Sequence, residues 1–284
     1  MDDNKIFIVG ANGQLGTALR AQYPNAKFAD IDVLNITDEA SVNAFDWSDI
    51  EIMLNAAAYT NVDGAETNEG RVAAWKVNAE AIKYLSHQAQ QNDITFVHVS
   101  SDYVFDGTVV PHTEDESLSP LSVYGASKAA GDLLVQQLDK HYLLRTTWVI
   151  GEGNNFVRTM LGLAKKDVSP TVVADQIGRL TFTSELVRAI DHLLSTDAPC
   201  GTYNATNSGA VKSWAAITRD IFELADRTDL TVTDTSTAEY FAGKEGIAQR
   251  PLGSEMDLTK LQKTGFESRD WHDDLRDYIA KEQA

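Results

Sequence analysis

Three features of the sequence predict an α/β fold built on a doubly wound parallel sheet. Short apolar runs alternate with helical periodicity through the first 150 residues. A glycine-rich junction joins the first apolar run to the first helix. The chain of 284 residues, 43% of them hydrophobic, is long enough to bury both faces of such a sheet. Strands that alternate with helices imply right-handed βαβ units, with helices on both faces of parallel strands.

The elements follow in order. KIFIVG (5–10) reads as the first strand and QLGTALRAQY (14–23) as the first helix. AKFAD (26–30) is a second short strand, and EIMLNAAA (51–58) a third that runs into small residues. The segment 65–90 carries apolar positions at spacings of three and four and predicts one long helix. ITFVHVSS (94–101) predicts a buried strand. A polar loop with Pro111 and Pro120 follows, SVYGASKAAGDLLV (122–135) starts another helix, and HYLLRTTWVIG (141–151) closes the series as a strand. Beyond residue 150 the pattern is less regular, with helices predicted at 155–165, 183–194, 213–225 and 271–282. There are no repeats and no low-complexity tracts.

Composition narrows the function classes. No charged-then-apolar leader opens the chain and no apolar run is long enough to cross a bilayer, so a soluble cytoplasmic protein is expected. The single cysteine, Cys200, excludes an internal disulfide framework, and none of the six histidines has metal-binding spacing, so no metal is expected. A net charge of −18 argues against a nucleic-acid or anionic-membrane partner, because such surfaces need clustered Lys and Arg. It does not argue against a small anionic ligand. Oligomeric state, monomer or homodimer, stays open.

GANGQLG places Gly10, Gly13 and Gly16 between the first strand and the first helix. Gly10 permits the tight turn, Gly13 lets the backbone approach a pyrophosphate, and Gly16 lets the helix pack closely, while the helix N-terminus offers free N–H groups. The second strand ends in Asp30, which suits the adenosine ribose hydroxyls. Dinucleotide binding by a Rossmann-type sheet is therefore expected, with residues 1–150 as the dinucleotide-binding domain. Residues 151–284 are expected to form mainly a smaller C-terminal substrate-binding lobe, interleaved with the last elements of the sheet. The Asp30 charge would repel a 2′-phosphate, and Ala29 and Ile31 offer no cation to attract one. NADH is thus expected to serve at least as well as NADPH.

Tyr124 and Lys128 stand four apart on the predicted helix and so share a face. A free phenol titrates near 10. An ammonium beside it is expected to bring it towards the working range for proton transfer. Gly125, Ala126 and Ser127 are expected to leave room for a ligand. Ser101, at the end of the preceding strand, can hydrogen-bond a substrate carbonyl beside the phenol. Ser101, Tyr124 and Lys128 are the candidate catalytic residues.

These residues together resemble the extended short-chain dehydrogenase/reductase superfamily. The blocks GANGQLG, NAAAYTNVDGAE, SSDYVFDG, YGASKAAGD, LRTTWVIG, NNFVRTM, DQIGRLT, GTYNATNSG and RPLGSEMDLTKL, in that order, resemble the dTDP-4-dehydrorhamnose reductase family over nearly the whole chain. The resemblance implies reduction of a dTDP-linked 4-keto-6-deoxy sugar by NADH or NADPH, with Tyr124 as proton donor. It implies cofactor contacts from Gly13, Gln14 and Leu15 at the pyrophosphate, from Asn35 and Ile36 at the adenine, and from Ala57, Ala58 and Tyr59 towards the nicotinamide. Lys128 would also hold the ribose. On the substrate side it points to Ser101, Asp102 and Trp148, with Arg250 as a guanidinium donor to the diphosphate. The chain departs from the family at Ser101 (usually Thr), Asn35 (often Asp), Leu180 (usually Pro) and Gly253 (usually Asn), the last two expected in substrate-side loops. A related dehydratase would need a second carboxylate after Asp102, where this chain has Tyr103. An epimerase, or a regulatory protein that binds nucleotide without catalysis, stays open on sequence.

Overall fold

A computed structural model describes residues 1–283. The first half runs β1 (Ile6–Val9), α1 (Gln14–Gln22), β2 (Lys27–Ala29), α2 (Glu39–Ala44) and β3 (Ile52–Asn55), then α3 (Asn68–Trp75), α4 (Ala81–Gln91), β4 (Thr95–Ser101), α5 (Val123–Val135) and β5 (His141–Thr146). The second half supplies β6 (Val149–Ile150), α6 (Phe156–Ala164), β7 (Thr171–Val173), β8 (Ile177–Gly178), β9 (Thr181–Phe182), α7 (Thr183–Ser195) and β10 (Gly201–Asn204). It ends with β11 (Lys212–Ser213), α8 (Trp214–Leu224), β12 (Thr233–Thr235), α9 (Thr237–Phe241), α10 (Thr259–Gln262) and α11 (Trp271–Gln283). No helix among the described residues is long and apolar enough to cross a membrane.

Six strands form one parallel sheet in the order β10-β5-β4-β3-β1-β2. Period-two alternation explains why β1 is apolar throughout. Ile6 and Ile8 face a core shared with α1 and α7, through Leu15, Leu186 and Ile190. Phe7 and Val9 face the opposite core, with Ile82 and Leu85 of α4. The chain leaves β1 for β2 on one side and returns to β3 on the other, which opens a crevice at the C-terminal ends of β1 and β3. A separate core gathers Val157, Ile221, Leu275 and Trp271 from α6, α8 and α11.

Four local outcomes differ from the sequence reading. The predicted 65–90 helix starts only at Asn68, where the Thr67 hydroxyl accepts from the Gly70 N–H, and a π turn at Lys76–Glu80 interrupts it. That extra-wide turn carries Asn78, which is bound to the site. The third strand stops at Asn55, leaving 56–58 as loop. The predicted 141–151 strand breaks after Thr146, because Trp148 has φ +47 and cannot continue an extended ladder. Finally, β10 completes the main sheet from beyond residue 150, where the sequence reading expects the last elements of the sheet but assigns no strand a position.

Candidate active site

The glycine loop is shaped by contacts that tolerate no side chain at two of its three positions. Gly10 has φ +75, and a Cβ there would lie 2.5 Å from the Ala57 nitrogen. A Cβ on Gly16 would lie 2.1 Å from the Gly10 carbonyl oxygen, so this glycine seats α1 on the loop itself. Gly13 is the N-cap of α1, leaving the first-turn N–H groups of Gln14, Leu15 and Gly16 directed out of the helix end. Leu15 is buried in the core and Gln14 accepts from the Gly151 N–H at 2.8 Å, so their side chains are engaged and only their backbone N–H groups are free at the helix end.

Beside the loop lies a cavity of about 340 Å³, lined by Gly10, Gly13, Asp30, Asn35, Ile36, Ala57 and Ala58. The residues singled out by sequence thus converge, and Leu34, Thr37 and Val77, which the sequence reading missed, complete the walls. None of them belongs to a motif; the β2–α2 segment brings in Leu34 and Thr37, and the π turn at Lys76–Glu80 brings in Val77. Asp30 accepts from the Asn12 and Ile31 N–H groups at 3.0 and 2.8 Å, which fixes its carboxylate at the cavity edge. Lys27 turns to Asp49, while the Arg20 guanidinium packs over Phe28 at 4.0 Å. A loop that only glycine can form, free helix-end donors and a fixed ribose-side carboxylate suit the adenosine and diphosphate of a nicotinamide dinucleotide.

The catalytic candidates meet at the C-terminal end of β4. The Ser101 hydroxyl donates to Asp102 at 2.9 Å and caps the following turn. Tyr124 is buried and stands edge-on to Tyr103, with ring centroids 5.4 Å apart. Burial pushes the Tyr124 phenol up to about 12, although the Ser101 hydroxyl acts in the opposite direction. This corrects the expectation that Lys128 lowers it. The Lys128 Nζ turns instead onto the Val99 carbonyl at 2.8 Å and His98 Nε2 at 3.3 Å, and burial pushes it down to about 8. A reductase needs the phenol protonated, and a raised phenol meets that need at any working pH.

The small residues after Tyr124 also have another purpose than the one expected. A Cβ on Gly125 would lie 2.2 Å from the Tyr103 carbonyl oxygen, and Ser127 is fully buried against Asn78. Gly125 and Ser127 thus seat α5 on its neighbours and leave no room for a ligand at their own positions, while Ala126 is half-buried. Asn78 in turn clasps the Tyr59 backbone from both sides, at 2.9 and 3.1 Å, which fixes Tyr59 near Tyr124.

Among the substrate-side candidates, Asp102 is 1% exposed, and its carboxylate oxygens are bound by Ser101 and by Ser254 at 2.5 Å. It therefore positions Ser101 and offers no open face to a substrate, a correction to the direct contact expected. Burial raises its carboxyl above the ordinary range, opposed by those hydroxyls. Arg250 lines a second cavity of about 490 Å³ with Phe156, Gln176, Trp214, Tyr240 and Phe241. Its guanidinium is held by Asp63 at 2.8 Å, a partner that the sequence reading missed because the two are 187 residues apart. Trp148 stacks on Trp214 at 3.7 Å and so backs that wall. Of the two departures expected in substrate-side loops, Leu180 is instead fully buried in the lobe core, and Gly253 leaves its space to Val110, which would lie 2.6 Å from a Cβ there.

A parallel sheet with a dinucleotide cradle at its switch point, and a Ser-Tyr-Lys cluster beside it, defines a nicotinamide-dependent oxidoreductase. The comparisons narrow this. Residues 4–284 match the family model described as RmlD substrate binding domain. The chain is 36% identical to dTDP-4-dehydrorhamnose reductase of Aggregatibacter actinomycetemcomitans, covering 97% of this chain and 98% of that protein. It is 34% identical to the spore coat polysaccharide biosynthesis protein SpsK of Bacillus subtilis (strain 168), over 97% and 96% of the two chains. A crystal structure of a dTDP-4-dehydrorhamnose reductase from Bacillus anthracis str. Ames in complex with NADP superposes with a TM-score of 0.88 at 33% identity, covering 98% of each chain. The chain belongs to the dTDP-4-dehydrorhamnose reductase family.

Proposed function

We propose that this protein reduces the 4-keto group of dTDP-4-dehydrorhamnose to give dTDP-L-rhamnose, with Tyr124 as proton donor. The observation that carries the reading is the convergence of Ser101, Tyr124 and Lys128 beside the dinucleotide cradle. The bound reduced nicotinamide supplies a hydride to the sugar C4. Ser101 turns its one hydroxyl proton from Asp102, its acceptor in the free protein, to the carbonyl oxygen. As the C=O π electrons move onto oxygen, Tyr124 transfers its phenolic proton to the forming alkoxide. The second cavity takes the thymidine end of the substrate, with aromatic walls for the base and Arg250 directed at the diphosphate.

Incubating the purified protein with NADH and a dTDP-4-keto-6-deoxy sugar tests this directly. One NADH should be consumed for each sugar reduced, and the product should be dTDP-L-rhamnose. An epimerase or a non-catalytic nucleotide-binding protein would consume none.

Two variants probe the two ends of the site. Arg250→Gln should raise KM for the sugar nucleotide about tenfold with little change in kcat, since hydrogen bonds to charged groups contribute ~1.5–3 kcal/mol. Equal losses in kcat and kcat/KM would place Arg250 at the reacting centre instead. Asp30 should give wild-type protein a kcat/KM for NADH about tenfold above that for NADPH, from ~1–2 kcal/mol of partly screened repulsion. Asp30→Ala should narrow or reverse that ratio. A clear NADPH preference in the wild type would show that this reading of Asp30 is wrong.

A further inference from the structure

Lys128 is held by partners that the proton-transfer chemistry does not require. Its Nζ donates to the Val99 carbonyl oxygen at 2.8 Å and lies 3.3 Å from His98 Nε2. The other ring nitrogen of His98, Nδ1, lies 2.9 Å from the Asn55 side-chain nitrogen. One contact further along fixes the direction of the whole chain. The Asn55 side-chain oxygen accepts from the Ala57 N–H at 3.1 Å, so the amide NH₂ faces the imidazole. Nδ1 is therefore the bare acceptor, and the single proton of a neutral imidazole sits on Nε2, aimed at Lys128. His98 is fully buried, and burial with the nearby lysine holds its basicity well below the ordinary histidine value, so the ring stays neutral.

An N–H group cannot donate to an ammonium, which has no lone pair, but it can donate to an amine. The series Ala57 N–H to Asn55, Asn55 to His98, His98 to Lys128 and Lys128 to the Val99 carbonyl matches every donor with an acceptor only when Lys128 is the amine. We propose that His98 is a positioning residue that keeps Lys128 folded onto β4 and favours its neutral amine, the form that predominates at alkaline pH in the cofactor-free protein, and that cofactor binding draws Lys128 to the ribose with uptake of a proton from solvent at such pH. The proton adds to the Nζ lone pair, and no other bond is made or broken. This rests on the reading that a nicotinamide dinucleotide binds beside Lys128.

The charged surroundings agree. Asp132, one turn along α5, is the anion nearest in effect to Lys128, and it is itself bonded to Arg145 of β5 at 2.9 Å. Asp102, after β4, is bonded to Ser101 and Ser254. From β3 comes only the neutral Asn55, and Tyr124 on α5 is an un-ionised phenol. Burial outweighs Asp132 and pushes Lys128 down to about 8. Ribose hydroxyl oxygens accept from an ammonium and favour the charged form. Uptake should therefore be slight below the free value and grow above it.

Calorimetric titration of the protein with NADH, in buffers of different ionisation enthalpy, reads the number of protons taken up. Close to none is expected at pH 6.5 and about half a proton or more per NADH at pH 9. In His98→Leu, which no longer aims an N–H at Lys128, the pH 9 uptake should fall to less than half the wild-type figure while NADH still binds. His98→Asn replaces that variant if leucine is not accommodated beside Asn55. Wild-type binding with equal uptake at both pH values, or full uptake in the folded His98 variant, overturns the proposal and leaves the cofactor reading intact. No NADH binding at all overturns both.

Discussion

Tyr124→Phe should lower turnover by ~10²–10⁴-fold, the usual contribution of a positioned general acid, while NADH affinity stays nearly unchanged. Phenylalanine keeps the ring that packs against Tyr103 and removes only the oxygen that faces Ser101. Because burial holds the phenol up at about 12, its proton is present throughout the working range, so the loss should be the same at pH 6.5 and pH 8.5. Steady-state rates at both pH values check this. A variant that keeps more than about a tenth of wild-type turnover would remove Tyr124 from the role of donor.

Arg145→Met should destabilise the protein by about 3–5 kcal/mol, the range seen when one partner of a buried ion pair is removed. The Arg145 and Asp132 side chains are 1% and 0% exposed, and Nε meets the Asp132 carboxylate at 2.9 Å. Methionine fills much of the volume but leaves the Asp132 carboxylate in the interior without its cation. Burial already raises that carboxyl above the ordinary range, opposed chiefly by Arg145. The pair also joins α5 to β5, and Arg145 reaches on to the Glu114 carbonyl at 3.0 Å, which holds the loop before Tyr124. Urea unfolding measures the shift. Asp132→Asn with Arg145→Met should recover part of the loss, since the stranded charge is then gone. A midpoint unchanged in Arg145→Met would show that the carboxylate finds another partner.

Much of the site was legible before any coordinates. The glycine spacing, Asp30 at a strand end, and Tyr124 four residues before Lys128 each express a local constraint: a turn only glycine can make, a strand length, a helical pitch. Asn35, Ile36, Ala57 and Ala58 came through resemblance, and they line the first cavity as a group. What stayed illegible depends on contacts distant in sequence. Asp63 holds Arg250, Ser254 holds Asp102, and β10 adds an edge strand, none of which leaves a local pattern.

By itself, then, the sequence determined the alternating sheet, the cradle at the first turn, and the placing of Tyr124 and Lys128 on one helix face, because periodicity and spacing act over a few residues. Only the tertiary structure decided the electrostatics. A four-residue spacing places Tyr124 and Lys128 on one face of α5, but side-chain rotation sends the amine to Val99 and His98, away from the expected partnership with the phenol. Burial then sets both groups, raising the phenol and lowering the amine. Desolvation depends on everything packed around a group, from every element of the fold, and a linear motif carries no record of it.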